Sequence, residues 1–134
     1  MSNIIFTIKK LPEMESFLPV SNEIIESIEE KLKIKFAEDY KEYLLTFGAV
    51  CSDIISISGI CDDSYMNVID LTLDAKSVNE QIPKNFYVIE DIGVDGLVIW
   101  QDETGAIYQS IPFRAPEKIY NSLSEYLEYV LSGE

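Results

Sequence analysis

The stretch Asn85-Phe-Tyr-Val-Ile-Glu-Asp-Ile-Gly-Val-Asp-Gly-Leu-Val-Ile-Trp-Gln-Asp-Glu-Thr-Gly-Ala-Ile-Tyr-Gln109 decides the fold. It contains three short runs rich in β-branched and aromatic residues, 86–89, 97–100 and 106–108, separated by Gly-Val-Asp-Gly at 93–96 and Asp-Glu-Thr-Gly at 102–105. Turns this short can join only antiparallel neighbours, and Gly93, Gly96 and Gly105 supply the positive φ that such turns require. An antiparallel meander is the expectation.

Working outward, the 134 residues suit one domain, long enough to bury roughly two thirds of its unfolded surface in a single core. A hydrophobic content of 47% argues against disorder despite a net charge of −14. That charge bears on partners: an acidic surface repels phosphate backbones and anionic lipid, so nucleic acid and membrane are disfavoured and a basic protein is favoured. The run 1–8 has no basic residue ahead of its apolar positions and is not a signal peptide. No stretch approaches the ~18 to 20 apolar residues of a membrane-spanning helix, so a cytoplasmic location is expected. Cys51 and Cys61 are the only cysteines. With 53–57 read as one extended strand between them, they lie much farther apart than the ~7 Å a disulfide tolerates, and two free thiols follow.

Ahead of the meander, 4–8 reads as an edge strand. Ser21 or Asn22 then caps a helix with Ile24, Ile25, Ile28 and Leu32 on one face. A second helix carries Phe36, Tyr40, Tyr43, Leu44 and Phe47 and stops at Gly48, suited to the left-handed position that ends helices. The run 54–60 reads as a strand, 68–71 as a short apolar run, and 72–81 as a short helix ended before Pro83. Beyond the meander, Pro112 and Pro116 mark a loop. Ser122 and Glu125 form a capping box for a last helix with Leu123, Tyr126, Leu127, Val130 and Leu131 as its stripe. The fold class is α+β: a mainly antiparallel sheet with two N-terminal helices, one short middle helix and a C-terminal helix packed on it, the helices covering one side.

Several chemistries lose support. The chain has no histidine, which removes Ser-His-Asp and Cys-His catalysis and His-ligated metals, and two cysteines cannot build a four-thiolate zinc site. Among 24 acids some close carboxylate pair is expected by chance, so a glycosidase-type dyad has no specific signal. No phosphate-binding glycine motif occurs. Asp91, Asp95, Gly96 and Asp102 fall at positions 1, 5, 6 and 12 of a calcium-loop pattern, but Gly93 stands where a ligand is needed and strand formers occupy the end where a helix should start, so a hairpin turn is the better reading. No cofactor, metal or catalytic residue is expected.

The order of elements and five local strings resemble the SUKH superfamily, the Smi/Knr-like domain common among bacterial immunity proteins. The strings are Phe36-Ala-Glu-Asp-Tyr-Lys-Glu-Tyr-Leu44 with Gly48-Ala49, then Asn85-Phe-Tyr-Val-Ile-Glu-Asp91, Gly93-Val-Asp-Gly96, Gly105-Ala-Ile-Tyr108 and Ser122-Leu-Ser-Glu-Tyr-Leu127. Ala37, Ala49 and Phe47 depart from residues frequent in the family, at positions that bear on subgroup. The resemblance implies one domain over 1–134, used without catalysis to neutralise a cognate polymorphic toxin, often a nuclease; in eukaryotic relatives it resembles a regulatory scaffold.

Charge placement points to where such a partner would sit. Residues 1–41, 42–113 and 114–134 carry net charges of −2, −10 and −2, which puts the excess on the sheet region and its turns. The candidate partner-binding residues are therefore Asp62, Asp63, Asp91, Asp95, Asp102 and Glu103, which would steer a basic toxin cleft. An aromatic such as Tyr65, Trp100 or Tyr108 would supply the hot spot wherever one is exposed, although Trp100, inside an apolar run, also reads as a core residue.

Overall fold

A computed structural model describes residues 4–133. In chain order these form α1 (Ile4–Ile8), β1 (Glu15–Ser16), α2 (Asn22–Leu32), α3 (Glu38–Phe47), β2 (Val50–Cys51), β3 (Ser56–Ile57), α4 (Val68–Ser77), β4 (Tyr87–Asp91), β5 (Val98–Gln101), β6 (Ile107–Ser110), β7 (Glu117–Tyr120) and α5 (Leu123–Ser132). The strands make an antiparallel β1-β2-β3 sheet and an antiparallel β4-β5-β6-β7 meander. The α+β class holds, and the three runs of the deciding stretch are the meander's first three strands. Gly93, Gly96 and Gly105 all take positive φ in its turns.

The strand β5 is buried along its whole length because the sheet is covered on both faces. Val98 and Trp100 point to one side, where Ala75, Phe86 and Val88 join them; Ile99 points to the other, into the large core with Tyr40, Tyr43, Tyr87 and Ile107. A strand buried on both faces reads as a continuous apolar run, which explains Leu-Val-Ile-Trp. The expectation that helices cover one side is thus corrected: α3 and α5 contribute to the large core, whereas α4 lies across the opposite face, where Thr72 Oγ1 accepts the Val88 N–H at 3.0 Å.

Four further expectations need correction. The run 4–8 is helical, so three helices precede the first hairpin; Ile4 and Ile8 are buried against α3 and α5, and tertiary packing overrides the strand preference of isoleucine. The run 53–57 is not one strand: Ser52 N–H and Oγ both bond Ile55 O, turning the chain so that Cys51 pairs with Ser56. Both thiols are nonetheless free. The middle helix begins at Val68, capped by Asn67 Oδ1 on Ile69 N at 2.8 Å, so the apolar run 68–71 is its first turn and it ends at Ser77. The loop after Pro112 contains a fourth meander strand, β7, whose Glu117 and Lys118 read as polar loop because they lie exposed at the sheet edge.

Capping follows the sequence. Ser21 Oγ accepts from Ile24 N and Ser122 Oγ from Glu125 N, whereas Gly48 ends α3 with the positive φ expected, 74°, but at ψ −56°, outside the left-handed helical conformation. Polar groups buried beside the core are matched in a chain: Tyr87 Oη accepts from Ala37 N at 2.9 Å and donates to Gln101 Oε1 at 2.6 Å. Gln101 Nε2 donates to Asp39 Oδ1 at 3.0 Å, and Asp39 Oδ2 accepts from Leu123 N at 3.1 Å. Asp39 therefore ties the starts of α3 and α5 to β5. Burial pushes its carboxyl above the usual range, while the donated hydrogen bonds pull the other way.

Candidate partner-binding surface

The seven residues expected to meet a partner do not form one patch. Asp62 and Asp63 lie in the loop between β3 and α4, where Asp63 Oδ1 accepts from Tyr65 N at 2.9 Å and Cys61 O accepts from Asn67 Nδ2 at 2.6 Å. Asp62 borders an open groove of about 420 Å³ with Phe17, Leu18, Ile24 and Ile60. Asp91 and Asp95 flank the turn 93–96 at the start of β5, both exposed, with Asp91 Oδ1 accepting from Gly93 N at 3.1 Å. Asp102 and Glu103 sit at the far end of the same strand.

Two of the seven are not available as surface groups. Trp100 is fully buried, its indole N–H donating to Ser110 Oγ at 2.8 Å, so its apolar-run reading prevails over the contact reading. Asp102 is also buried, because its carboxylate is consumed by its own turn: Oδ1 accepts from Thr104 N at 3.0 Å and from Thr104 Oγ1 at 2.5 Å, and Oδ2 accepts from Tyr108 Oη at 3.0 Å. Glu103 is exposed and borders a groove of about 770 Å³ shared with Lys33, Lys35 and Lys41 and with Glu26, Glu29 and Glu30, where charges of both signs mix.

The ion pairs among the described residues are those of Lys41 with Glu29 at 3.9 Å and with Glu38 at 3.8 Å. Asp62, Asp63, Asp74, Asp91 and Asp95 are exposed and make no ion pair among the described residues.

Sequence reasoning missed one feature near Asp91. Beneath the open end of the α4 face lies a cleft of about 170 Å³ lined by Ala75, Val78, Val98, Trp100, Ile111 and Pro112, with Asp74 and Asp91 at its edge. Beside it Phe113 is 85% exposed at φ 66°, in the left-handed region that a bulky residue seldom adopts. The loop is pinned from behind: Asn79 Nδ2 donates to Ile111 O and Arg114 O, and Gln81 Nε2 donates to Phe113 O at 2.8 Å. The turn 93–96 closes against the same loop, since a Cβ on Gly96 would come within 2.5 Å of Pro112 Cγ. The sequence signal available was an aromatic next to proline in a loop otherwise read as a connector.

These features define an α+β domain with a four-stranded antiparallel meander and acidic loops at both ends of its central strand. The chain belongs to the SMI1-KNR4 cell-wall family, SUKH_5, whose model matches residues 1–132, and so to the SUKH superfamily. No curated protein matches the chain. Among the described residues no helix is long and apolar enough to cross a membrane.

Proposed function

We propose that this chain is a non-catalytic immunity protein, cytoplasmic, that binds and neutralises a cognate bacterial polymorphic toxin with a basic functional face, of which a nuclease is the leading case. The observation that carries the reading is the set of exposed, unpaired acids next to exposed apolar side chains: Asp91 and Asp95 beside Val94, and Asp62 beside Leu18. Unpaired charge at a rim sets association rate and selects against wrong partners, while apolar groups at the centre supply affinity. Membership of the SUKH superfamily supports the same reading.

The test is co-expression with the product of the adjacent gene. Rescue of growth from a toxic neighbour supports the proposal; a neighbour that is not toxic, or toxicity that this chain leaves untouched, removes it. Association should slow with added salt, and Asp91→Lys with Asp95→Lys should lower the on-rate and flatten that dependence. The second reading, a regulatory scaffold, draws on the cell-wall description of the matching family, and predicts a stable complex with a non-toxic partner.

A further inference from the structure

The four-stranded sheet is sealed on its α3 and α5 side and unfinished on the other. The ten-residue α4 lies mainly over β4, so the surface above Val98, Trp100 and Ser110 ends in the cleft rather than in packed side chains. Exposed Val78 and Ile111 line it, and exposed Val94 and Phe113 follow in the adjoining turn and loop. The charged residues that line it, Asp74 and Asp91, are both negative, with Asp95 on the adjoining turn and one cation, Arg114, beyond Phe113.

Phe113 is the most informative of these. A loop that holds a large aromatic outward in left-handed backbone, fixed by three side-chain hydrogen bonds from Asn79 and Gln81, gives up stability to place that ring. A buried ring or a relaxed loop would be the cheaper arrangement for a surface with no occupant. A rigid exposed aromatic beside a preformed apolar cleft, ringed by charge, is how binding hot spots are built.

We infer that this cleft is the seat of the partner protein: a basic segment inserts one aliphatic side chain among Val78, Ile111 and Pro112, beside Phe113, and its flanking lysine or arginine residues meet Asp74, Asp91 and Asp95. The occupant's chemistry follows from shape and charge, since the cleft is too small for more than one side chain and both charged residues that line it are carboxylates. This rests on the reading of the chain as a binding protein for a basic partner and specifies which surface does it. The rival groove at Phe17, Leu18 and Ile24 has a single acid, Asp62, among its lining residues, and its aromatic, Phe17, is 36% exposed against 85% for Phe113.

The sole tryptophan makes the proposal directly observable, because Trp100 and Ser110, to which its indole N–H donates, both line the cleft floor. The probe is a short synthetic peptide with a central leucine between lysine and arginine residues, titrated into the full-length, isotope-labelled protein, with a second peptide carrying glycine in place of leucine and a third carrying glutamate in place of the bases. The leucine-basic peptide should shift the Trp100 indole resonance and the amides of Val78, Asn79, Val94 and Phe113; the other two should bind at least tenfold more weakly. Phe113→Asn, which suits left-handed backbone, should weaken binding tenfold while leaving the melting temperature unchanged or raised, and Leu18→Ser should leave binding unchanged. Shifts confined to the Leu18 groove, no shift at millimolar peptide, or Phe113→Asn binding like the parent would each overturn the inference. If the adjacent-gene toxin is neutralised equally by the Phe113→Asn protein, the immunity reading stands and this surface is wrong; if no toxin is found but the peptide shifts appear, the surface stands and the immunity reading is wrong.

Discussion

A Cβ placed on Gly59 would sit 1.8 Å from the carbonyl oxygen of Gly48, so the segment after β3 and the end of α3 touch backbone to backbone. The same carbonyl accepts the Ile60 N–H at 2.9 Å. Gly59→Ala must part these segments, because the obstacle is backbone and cannot rotate aside, and the loss should reach about 2 to 3 kcal/mol. Gly48→Val faces two obstacles, positive φ and a Cβ position 2.0 Å from Leu18 O, and should lose at least as much. Urea unfolding midpoints measure both; a shift under about 0.5 kcal/mol would mean that the helix does not end where described.

The charge reversal Asp102→Lys should separate from Glu103→Lys although the residues are adjacent. Asp102 accepts three hydrogen bonds inside its turn, so reversal leaves Thr104 and Tyr108 without their acceptor and should cost about 2 to 4 kcal/mol. Glu103 is exposed, and its reversal should stay within about 0.5 kcal/mol. Thermal unfolding of the two single variants decides it.

The contrast between these neighbours marks how far the sequence could be read. Strand positions, turn glycines, the Ser122 cap and the apolar faces of α3 and α5 follow from periodicity and local chemistry, which act over a few residues. Which acid in Asp102-Glu103 is consumed depends on Tyr108 arriving from the next strand, and the helicity of 4–8 depends on α3 and α5. Phe113 shows the same limit, because its exposure is fixed by Asn79 and Gln81, more than 30 residues away. Side-chain placement of that kind leaves no periodic trace.

Alkaline titration should be cooperative. Burial pushes the phenols of Tyr40, Tyr43, Tyr87 and Tyr126 well above the ordinary value of 10.0. A pKa raised in the folded state gives stability that is complete below the unfolded value and lost as pH climbs beyond it. Four of the eight tyrosines should therefore ionise only as the chain unfolds. Absorbance at the tyrosinate band should rise in step with loss of circular dichroism, and ionisation of these four in a still-folded protein would contradict their burial.

Mild acid should stabilise rather than unfold. Burial raises the carboxyls of Asp39 and Glu90 above their ordinary values of 3.8 and 4.5, so each favours folding when protonated, and that stability fades as pH rises through the raised folded values. Relief of the −14 net charge acts in the same direction. The melting temperature should rise as pH is lowered from neutral through the raised folded values toward the ordinary carboxylate range, and Asp39→Asn should reduce that rise. A melting temperature that falls across this interval would show that both carboxylates are better solvated than their partners indicate.

Asp39 and Leu123 stand 84 residues apart in the chain, yet one carboxylate oxygen joins them. During synthesis Asp39 emerges 84 residues ahead of the N–H that its Oδ2 accepts in the finished fold. The amino-terminal helices of this fold are thus completed by a helix made well after them. A chain that still lacks α5 leaves exposed the core that Leu123, Tyr126 and Leu127 complete, and such apolar surface is what marks an unfinished chain for aggregation or triage.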